Sequence, residues 1–300
     1  LHGHDWVASF ASVRLKHGFH LPLVATMHAT EYGRNQGIHT DLQRYISSIE
    51  QQFTTEAWRV IVCSHYMKWE LDHALGTPAD KTDVIPNGIR TEKFGFPFSE
   101  EEARRFRSQY AAPNEHLVVF SGRMVQEKGA HLLISAVRIL RDTGLPVKLV
   151  IVGGGYRAHL EQLARDLGIY ASVYFTGFVP DEVLLRLYRV ADAACFPSLY
   201  EPFGIVALEA MAAGTPVIVS DAGGLKEVVE HDRTGTVVWS GSVDSLVWGL
   251  KRVLTDRGHA LAMADAAKAV VKERFNWDRV ATETSDVYKR VWAEYAASLW

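Results

Sequence analysis

Two basic side chains, Arg123 and Lys128, follow a short apolar run that ends at Phe120. The run predicts a buried strand, and doubly wound folds bind their ligands at the carboxyl ends of such strands. Arginine presents a planar fork of donors and lysine a compact positive charge, so the two together could neutralise one diphosphate. Taken alone, this spacing is as typical of two surface cations as of a phosphate site.

Two carboxylates, Glu201 and Glu209, lie on either side of Gly204, where the sequence predicts the start of a helix. Carboxylates accept hydrogen bonds from neighbouring hydroxyl groups, so this spacing indicates a site for a sugar or a ribose. The alternative is that Glu201 stabilises the helix dipole and that Glu209 is a solvated helix residue.

Glycine-rich loops occur at residues 153–155, after another predicted strand, and at residues 223–224, before a short predicted helix. Free N–H groups at a helix start favour phosphate, although any sharp turn into a helix also favours glycine. Neither loop has the dinucleotide-binding fingerprint or the phosphate-binding loop that ends in Gly-Lys-Ser/Thr. A nicotinamide enzyme and a nucleoside triphosphatase are therefore disfavoured.

Short β-branched runs alternate with amphipathic stretches of helical length along the chain, which predicts an α/β fold with parallel sheets. From residue 117 onward, the pattern predicts a doubly wound domain. Its strands are expected at 117–120, 147–152, 173–175, 193–196 and 217–220, and its helices at 129–143, 156–167, 181–190 and 204–213. We expect a first domain over 1–86, a second over 87–276 and a final helix over 277–300 that crosses back to the first.

The first domain is expected to contain strands at 23–27 and 60–63, separated by a long helix. One face of this helix is apolar and predicts core packing rather than a membrane surface. The apolar residues are Leu42, Tyr45, Ile46, Ile49, Phe53 and Ala57. The opposite face is mixed, with Asp41, Gln43, Arg44, Glu50, Gln51 and Gln52.

The composition excludes some classes of protein. The 32 basic and 35 acidic side chains give a net charge of -3, which disfavours a nucleic-acid partner. No apolar run approaches the roughly 18 residues of a membrane span, and the two cysteines fit a reducing compartment, so we expect a cytoplasmic protein. The histidines lack metal-ligand spacing, and we predict no metal site.

The order of Arg123, Lys128, Glu201 and Glu209 resembles the GT4 family of glycosyltransferases and the related bacterial glycogen synthases. The resemblance covers nearly the whole chain. It extends to His28 in Thr-Met-His, to 86–88 (Pro-Asn-Gly), 153–155, Gly177-Phe178 and 214–216 (Gly-Thr-Pro). The family has the GT-B fold, in which two Rossmann-like, doubly wound domains face a cleft. Because family members begin with a strand and a glycine-rich loop that do not precede Leu1, we expect that the first domain is truncated and that a chain starting at Leu1 binds nucleotide yet catalyses poorly.

The resemblance also implies a role for each site residue. Arg123 and Lys128 would neutralise the donor diphosphate without a metal or cofactor, and Glu201 and His28 would hold the transferred sugar. Glu209 would hold the ribose. The remaining donor-binding positions are Gly154, Phe203, Gly204 and Ile205 near the sugar and phosphates, and Gly177 and Phe178 near the nucleobase.

The implied function is a retaining, metal-independent transfer of a hexose from a UDP-, ADP- or GDP-linked donor to a hydroxyl acceptor. Residues 30–34 and 37–39 are expected to face the acceptor and resemble α-glucan-building relatives, as does the opening His-Gly-His-Asp-Trp. Two alternatives remain open: a sugar-nucleotide epimerase of GT-B shape and a non-catalytic nucleotide-binding fragment. The sequence makes no prediction about the oligomeric state.

Overall fold

The computed structural model describes residues 1–298 and residue 300. The chain forms two compact units, a small one (Leu1–Gly88 with Trp277–Trp300) and a large one (Ile89–Asn276). Each unit is built around one parallel sheet, as expected for an α/β fold.

Within residues 1–298 and 300, the two units contain ten strands and thirteen α-helices. The strands are β1 (His2–His4), β2 (Val24–Met27), β3 (Arg59–Val62), β4 (Thr82–Val84), β5 (His116–Ser121), β6 (Val147–Val152), β7 (Val173–Gly177), β8 (Ala193–Phe196), β9 (Val217–Ser220) and β10 (Thr236–Val238). The helices are α1 (Ser9–Phe19), α2 (Glu31–Asn35), α3 (Asp41–Glu56), α4 (His65–Leu75), α5 (Glu100–Arg107), α6 (Ala130–Asp142), α7 (Ala158–Asp166), α8 (Asp181–Val190), α9 (Ile205–Ala213), α10 (Leu225–Val228), α11 (Val243–Thr255), α12 (Arg257–Arg274) and α13 (Trp277–Ala296).

The four strands of the small unit lie in chain order, β1-β2-β3-β4. Right-handed crossovers between parallel strands in this order place the connecting helices on one face of the sheet. On α13, Val287 and Val291 pack against Val24, Ile61 and Ile85 of this unit. The end of the chain therefore belongs to the hydrophobic core of the small unit.

Helix α3 corrects the prediction of a continuous apolar stripe. Thr40 and Gln43 form a capping box that fixes the start of the helix, but its buried residues all lie in its second half. Leu42, in the first turn, is 67% exposed, and Tyr45 is also exposed. The prediction of core packing was therefore wrong for the first half of the stripe.

Glu50 corrects the same prediction on the polar face, because it is fully buried. Both of its carboxylate oxygens accept a hydrogen bond from the backbone N–H of Glu31, the first residue of α2, at 3.0 Å. Burial raises the pKa of Glu50 to about 7, although the bond from Glu31 opposes this shift. Glu50 is thus a buried acceptor at a helix start, where free N–H groups need partners.

The sheet of the large unit has the order β10-β9-β8-β5-β6-β7. The chain runs outward from β5 through β6 to β7, then returns to the other side of β5 and runs outward again through β8, β9 and β10. The order reverses between β5 and β8, and open α/β sheets bind ligands outside the carboxyl ends of strands at such a switch point. A ligand-binding site is therefore expected at the loops that follow β5 and β8.

Candidate functional site

The loops that follow β5 and β8 interlock at the switch point. Gly129 has a φ of +72°, and a Cβ atom at this position would overlap the carbonyl oxygen of Pro197. The backbone N–H of Leu199 donates a hydrogen bond of 2.7 Å to the carbonyl of Glu127. Only glycine allows both the left-handed backbone and this close approach, so the local sequence fixes the distance between the loops.

Lys128 and Glu201 form an ion pair across these loops. Lys128 Nζ lies 2.7 Å from Glu201 Oε2, and the two side chains are only 18% and 11% exposed. Ser198 Oγ donates to the same carboxylate oxygen at 3.5 Å. Removing two charges from water has a cost that their attraction only partly offsets. The pair therefore places a cation beside an acceptor in a dry position, as recognition of a polar ligand requires.

Arg123 lies at the rim of this site rather than in the ion pair. Its side chain is 67% exposed, and Nη2 lies 2.9 Å from Glu127 Oε1. Glu127 also accepts the bond from Leu199, so one residue orients Arg123 and joins the two loops. Sequence analysis missed Glu127, although its spacing of four residues from Arg123 is a recognised side-chain pairing distance in helical turns.

The start of α9 lies directly after Glu201. Gly204 has a φ of +111°, and a Cβ atom there would lie 2.6 Å from Leu225 Cδ2. Gly204, at the N-cap position, has no side chain of its own to cap the helix, and Ile205, the first residue of α9, is partly exposed. The side chain of Phe203 is buried against Phe275, so its backbone rather than its ring is available to a ligand. The helix start therefore offers amide groups and a positive dipole end.

The loops after β6 and β7 form the other side of the same sheet edge. Gly153 N–H donates to the carbonyl of Gly177, and Met124 N–H donates to that of Gly154, both at 3.0 Å. The ring of Phe178, directly after β7, is 85% exposed. Tyr156, in the loop after β6, is exposed as well and was not identified from the sequence. This side of the edge thus offers backbone groups and open aromatic rings.

Glu209 lies in a separate charge cluster on α9. Burial raises its pKa to about 7, the negative charge of Asp181 adds to this shift, and the positive charge of Lys93 opposes it. Lys93 Nζ lies 3.1 Å from Asp181 Oδ2. The two predicted carboxylates, Glu201 and Glu209, therefore have different partners. Sequence analysis missed Asp181 and Lys93, because only the packing of α8 and the chain before α5 around α9 brings them to Glu209.

His28 belongs to the small unit, directly after β2. Its backbone N–H donates a hydrogen bond of 2.8 Å to Asp5 Oδ1, and its Nε2 lies 3.0 Å from Nδ1 of His4. The side chain is exposed. Asp5 and His4 were not assigned roles from the sequence, although both lie in the His-Gly-His-Asp-Trp stretch that carried part of the resemblance.

Residues 1–298 and 300 contain no group of three or more His, Cys, Asp or Glu side chains arranged to hold a metal ion. Within the same residues, none of the helices has the length and apolar character needed to cross a membrane.

Two family models match consecutive parts of the chain. The model of glycosyl transferases group 1 matches residues 102–270, and that of glycosyltransferase family 4 matches residues 1–93. The first match contains the ion pair, the start of α9 and Glu209. The second contains His28. All the predicted site residues thus lie within the matched segments.

Curated relatives agree with these matches. An uncharacterized glycosyltransferase of Methanocaldococcus jannaschii is 42% identical over 96% of this chain and 74% of its own length. The glycogen synthase of Mycobacterium tuberculosis is 38% identical over 96% of this chain and 68% of its own length. Both identities are high enough to establish common family membership.

Solved structures extend the likeness to the fold. Sucrose-phosphate synthase from Thermosynechococcus elongatus aligns with a TM-score of 0.86 and 27% identity, over 98% of this chain and 73% of its own. HepE of Anabaena in complex with UDP-glucose aligns with a TM-score of 0.82 and 25% identity, over 97% and 78%. The predicted fold class is confirmed, and the chain belongs to the glycosyltransferases of the GT4 family, enzymes with the GT-B fold.

Proposed function

We propose that the protein is a retaining, metal-independent hexosyltransferase that moves a sugar from a nucleotide-sugar donor to a hydroxyl acceptor. The observation that carries this proposal is the ion pair between Lys128 and Glu201, with 2.7 Å between Nζ and Oε2, at the β5–β8 switch point. A donor has a negative diphosphate directly attached to a sugar rich in hydroxyl groups. The pair offers a cation for the first and an acceptor for the second, side by side.

The closeness of the two charges matches the bond that must break. When the donor binds, Lys128 turns to a phosphate oxygen and Glu201 accepts hydrogen bonds from sugar hydroxyls. Because the two side chains are neighbours, the groups that they bind are neighbours in the ligand as well, on either side of the glycosidic oxygen. The ion pair of the free protein thereby holds both side chains in position for the donor.

Catalysis then follows from charge that develops on the leaving diphosphate. Lys128, Arg123 and the backbone amide at Ile205 supply positive charge, and they stabilise the developing negative charge more in the transition state than in the ground state. We propose that the leaving phosphate takes the proton of the acceptor on the same face of the sugar. The anomeric configuration is then retained without a carboxylate nucleophile.

We assign the remaining donor contacts to the same sheet edge. Glu209 accepts hydrogen bonds from the ribose hydroxyls, and Gly177 and Phe178 hold the nucleobase. The backbone at Gly154, Phe203 and Gly204 contributes to the phosphate and sugar contacts. His28, in the small unit, contacts the transferred sugar. The large unit is accordingly the donor-binding part of the chain, and the small unit with its final helix is the acceptor side.

The names of similar proteins support a hexose and a carbohydrate acceptor. Glycogen synthase and sucrose-phosphate synthase both build glucosides, and HepE was solved with UDP-glucose. We therefore propose glucosyl transfer to an α-glucan or a small glycoside, from a UDP-, ADP- or GDP-linked donor.

We also propose a cytoplasmic location, supported by a sequence with only two cysteines.

The test is to offer the protein UDP-, ADP- and GDP-linked hexoses together with maltooligosaccharides and simple glycosides. We expect a donor that raises the melting temperature, followed by formation of a new glycoside whose anomeric configuration matches that of the donor. The rate should be unchanged by EDTA. Release of an epimerised sugar without a glycoside would favour an epimerase, and donor binding without any turnover would contradict transferase activity.

A further inference from the structure

The pairing of β1 with β2 brings three histidines to one face of the small sheet. His2 is in register with Val24, and His4 with Thr26. Because side chains alternate between the faces of a strand, His2, His4 and Thr26 lie on the same face. His28 follows Thr26 by two residues and continues this row. Strand register therefore brings His4 close to His28, which lies one residue beyond the end of β2.

His28 is held at two points by residues at the end of β1. Its backbone N–H donates to Asp5 Oδ1 at 2.8 Å, which fixes the chain. Its ring lies parallel to that of His4, with 16° between the planes, and its Nε2 is 3.0 Å from His4 Nδ1. One of these two nitrogens carries the shared proton and the other accepts it. This bond occupies Nε2 of His28 and leaves Nδ1 as the ring nitrogen available to a ligand.

His2 supports His4 from the other side. His2 Nδ1 lies 2.6 Å from Tyr288 Oη on α13, His2 Nε2 lies 2.7 Å from Thr26 Oγ1, and the ring stacks on His4 with 4.5 Å between centroids. Both nitrogens of His2 are thus engaged, and its ring is fixed. A fixed ring beneath His4 restricts the rotation of His4 as well.

The surroundings of His2 and His4 favour the neutral form of these two rings. Burial lowers the pKa of His2 to about 4, and the nearby His4 and His28 act in the same direction. Burial and His28 also lower the pKa of His4, with Asp5 opposing them. A bond between two imidazoles requires that one ring keep a free lone pair, so neutral rings preserve it.

We propose that His4 is a positioning residue, which holds the ring of His28 in the orientation that contacts the transferred sugar. This inference rests on the proposed function, in which His28 makes that contact. His4 itself does not touch the substrate. Because His4 already fixes the His28 ring, less conformational entropy is lost when the donor binds. The third member of a catalytic triad orients its histidine in the same way.

The test compares His4→Leu, which removes the hydrogen bond, with His4→Asn, whose amide can replace Nδ1 as a bonding partner. We expect His4→Leu to lower kcat about tenfold, the equivalent of one oriented hydrogen bond, with little change in the donor KM. His4→Asn should recover most of the loss. His20→Asn, which removes an exposed histidine elsewhere in the small unit, serves as the control and should match the wild type.

Nitrogen-15 spectra of the histidine rings supply a readout that does not depend on turnover. The Nε2 signal of His28 should move in His4→Leu and stay near its wild-type position in His4→Asn. Wild-type turnover in His4→Leu, an unmoved His28 signal, or equal losses in the two variants would each overturn the inference. A wild-type protein without any transfer would instead overturn the proposed function.

Discussion

In the large unit, a lysine and a glutamate separated by 73 positions form an ion pair because two loops interlock. In the small unit, His4 and His28, separated by 24 positions, share a hydrogen bond because two neighbouring strands are in register. The first arrangement depends on glycines that allow close backbone contact. The second depends on the register of β1 with β2 and on the Asp5 side chain, which holds the backbone of His28 just after β2. The two units thus position their polar side chains by different means.

This difference determines which substitutions each region should tolerate. At the switch point, a charge that loses its partner stays in a position with little access to water. In the small unit, loss of the hydrogen bond between His4 and His28 leaves the exposed ring of His28 free to form hydrogen bonds with water. We therefore expect larger effects in the large unit than in the small one.

The largest effect should come from Lys128→Ala. It removes the innermost cation from the proposed diphosphate site, and loss of one such group typically lowers turnover about 100- to 1000-fold. Steady-state transfer assays check this, with Lys251→Ala as a control for loss of an exposed lysine in the same unit. Added Mg²⁺ should not restore the rate. Near-normal turnover would mean that Lys128 does not bind the donor. It would also contradict the expectation that substitutions in the large unit have larger effects than those in the small unit.

Gly129→Ala tests whether the interlocked loops hold the ion pair. Gly144 provides the matched control, because its φ of +86° is also left-handed but nothing lies within 4 Å of an added Cβ. Both variants should lose about 1–2 kcal/mol from backbone strain, and Gly129→Ala about 2 kcal/mol more from its overlap with Pro197. Denaturant unfolding measures the difference. Equal losses would mean that the loops can separate at little cost.

Glu209→Gln should weaken UDP binding about tenfold, because a charged acceptor for the ribose hydroxyls becomes neutral.

The wild type should also release protons on binding UDP slightly below pH 7, since hydroxyl donors favour the ionised form of a carboxyl whose pKa is raised to about 7. Calorimetry in buffers with different ionisation enthalpies detects this release. Its persistence in Glu209→Gln would assign the proton to another group.

The raised pKa of Glu209 also predicts how the free energy of unfolding changes with pH. Because its pKa in the folded protein lies above the usual value of 4.5, the folded state retains a proton that the unfolded state loses. Its contribution to stability therefore falls as the pH rises from 4.5 to about 7. Glu209→Gln should remove this fall and should be more stable than the wild type above pH 7. Unfolding curves at several pH values check the sign.

The smallest effect should come from Leu42→Ser on α3, with a change in unfolding free energy within about 0.5 kcal/mol. Phe53→Ala, in the buried second half of the same helix, should cost about 3–5 kcal/mol. Comparing the two by denaturant unfolding tests whether only the second half of the stripe belongs to the core. Comparable losses would restore the original prediction of a continuous buried face.

Much of the large unit could be predicted from periodicity alone. The expected strands at 147–152, 193–196 and 217–220 match β6, β8 and β9. The predicted helix over 156–167 begins later, at Ala158, because the loop after β6 extends through Arg157. Once the strand order is known, the meeting of Lys128 with Glu201 follows from the switch point.

The remaining features depend on tertiary packing. Lys93 and Asp181 lie near Glu209 only because separate elements surround α9. A local sequence pattern does not predict such contacts between distant parts of the chain. Glu50 appeared to be a surface residue because its partner, the start of α2, lies in a different helix. The exposure of Leu42 similarly depends on how far neighbouring elements extend along α3, which its own periodicity does not encode.

The most direct test of the account is to measure the affinities of UDP and of the intact UDP-sugar for Lys128→Ala and Glu201→Gln by calorimetry. Lys128 is assigned to the diphosphate and Glu201 to the sugar, although the two lie 2.7 Å apart. We predict that Lys128→Ala weakens both ligands about tenfold or more, whereas Glu201→Gln weakens only the intact donor. Equal losses of UDP affinity in the two variants would contradict this division between phosphate and sugar.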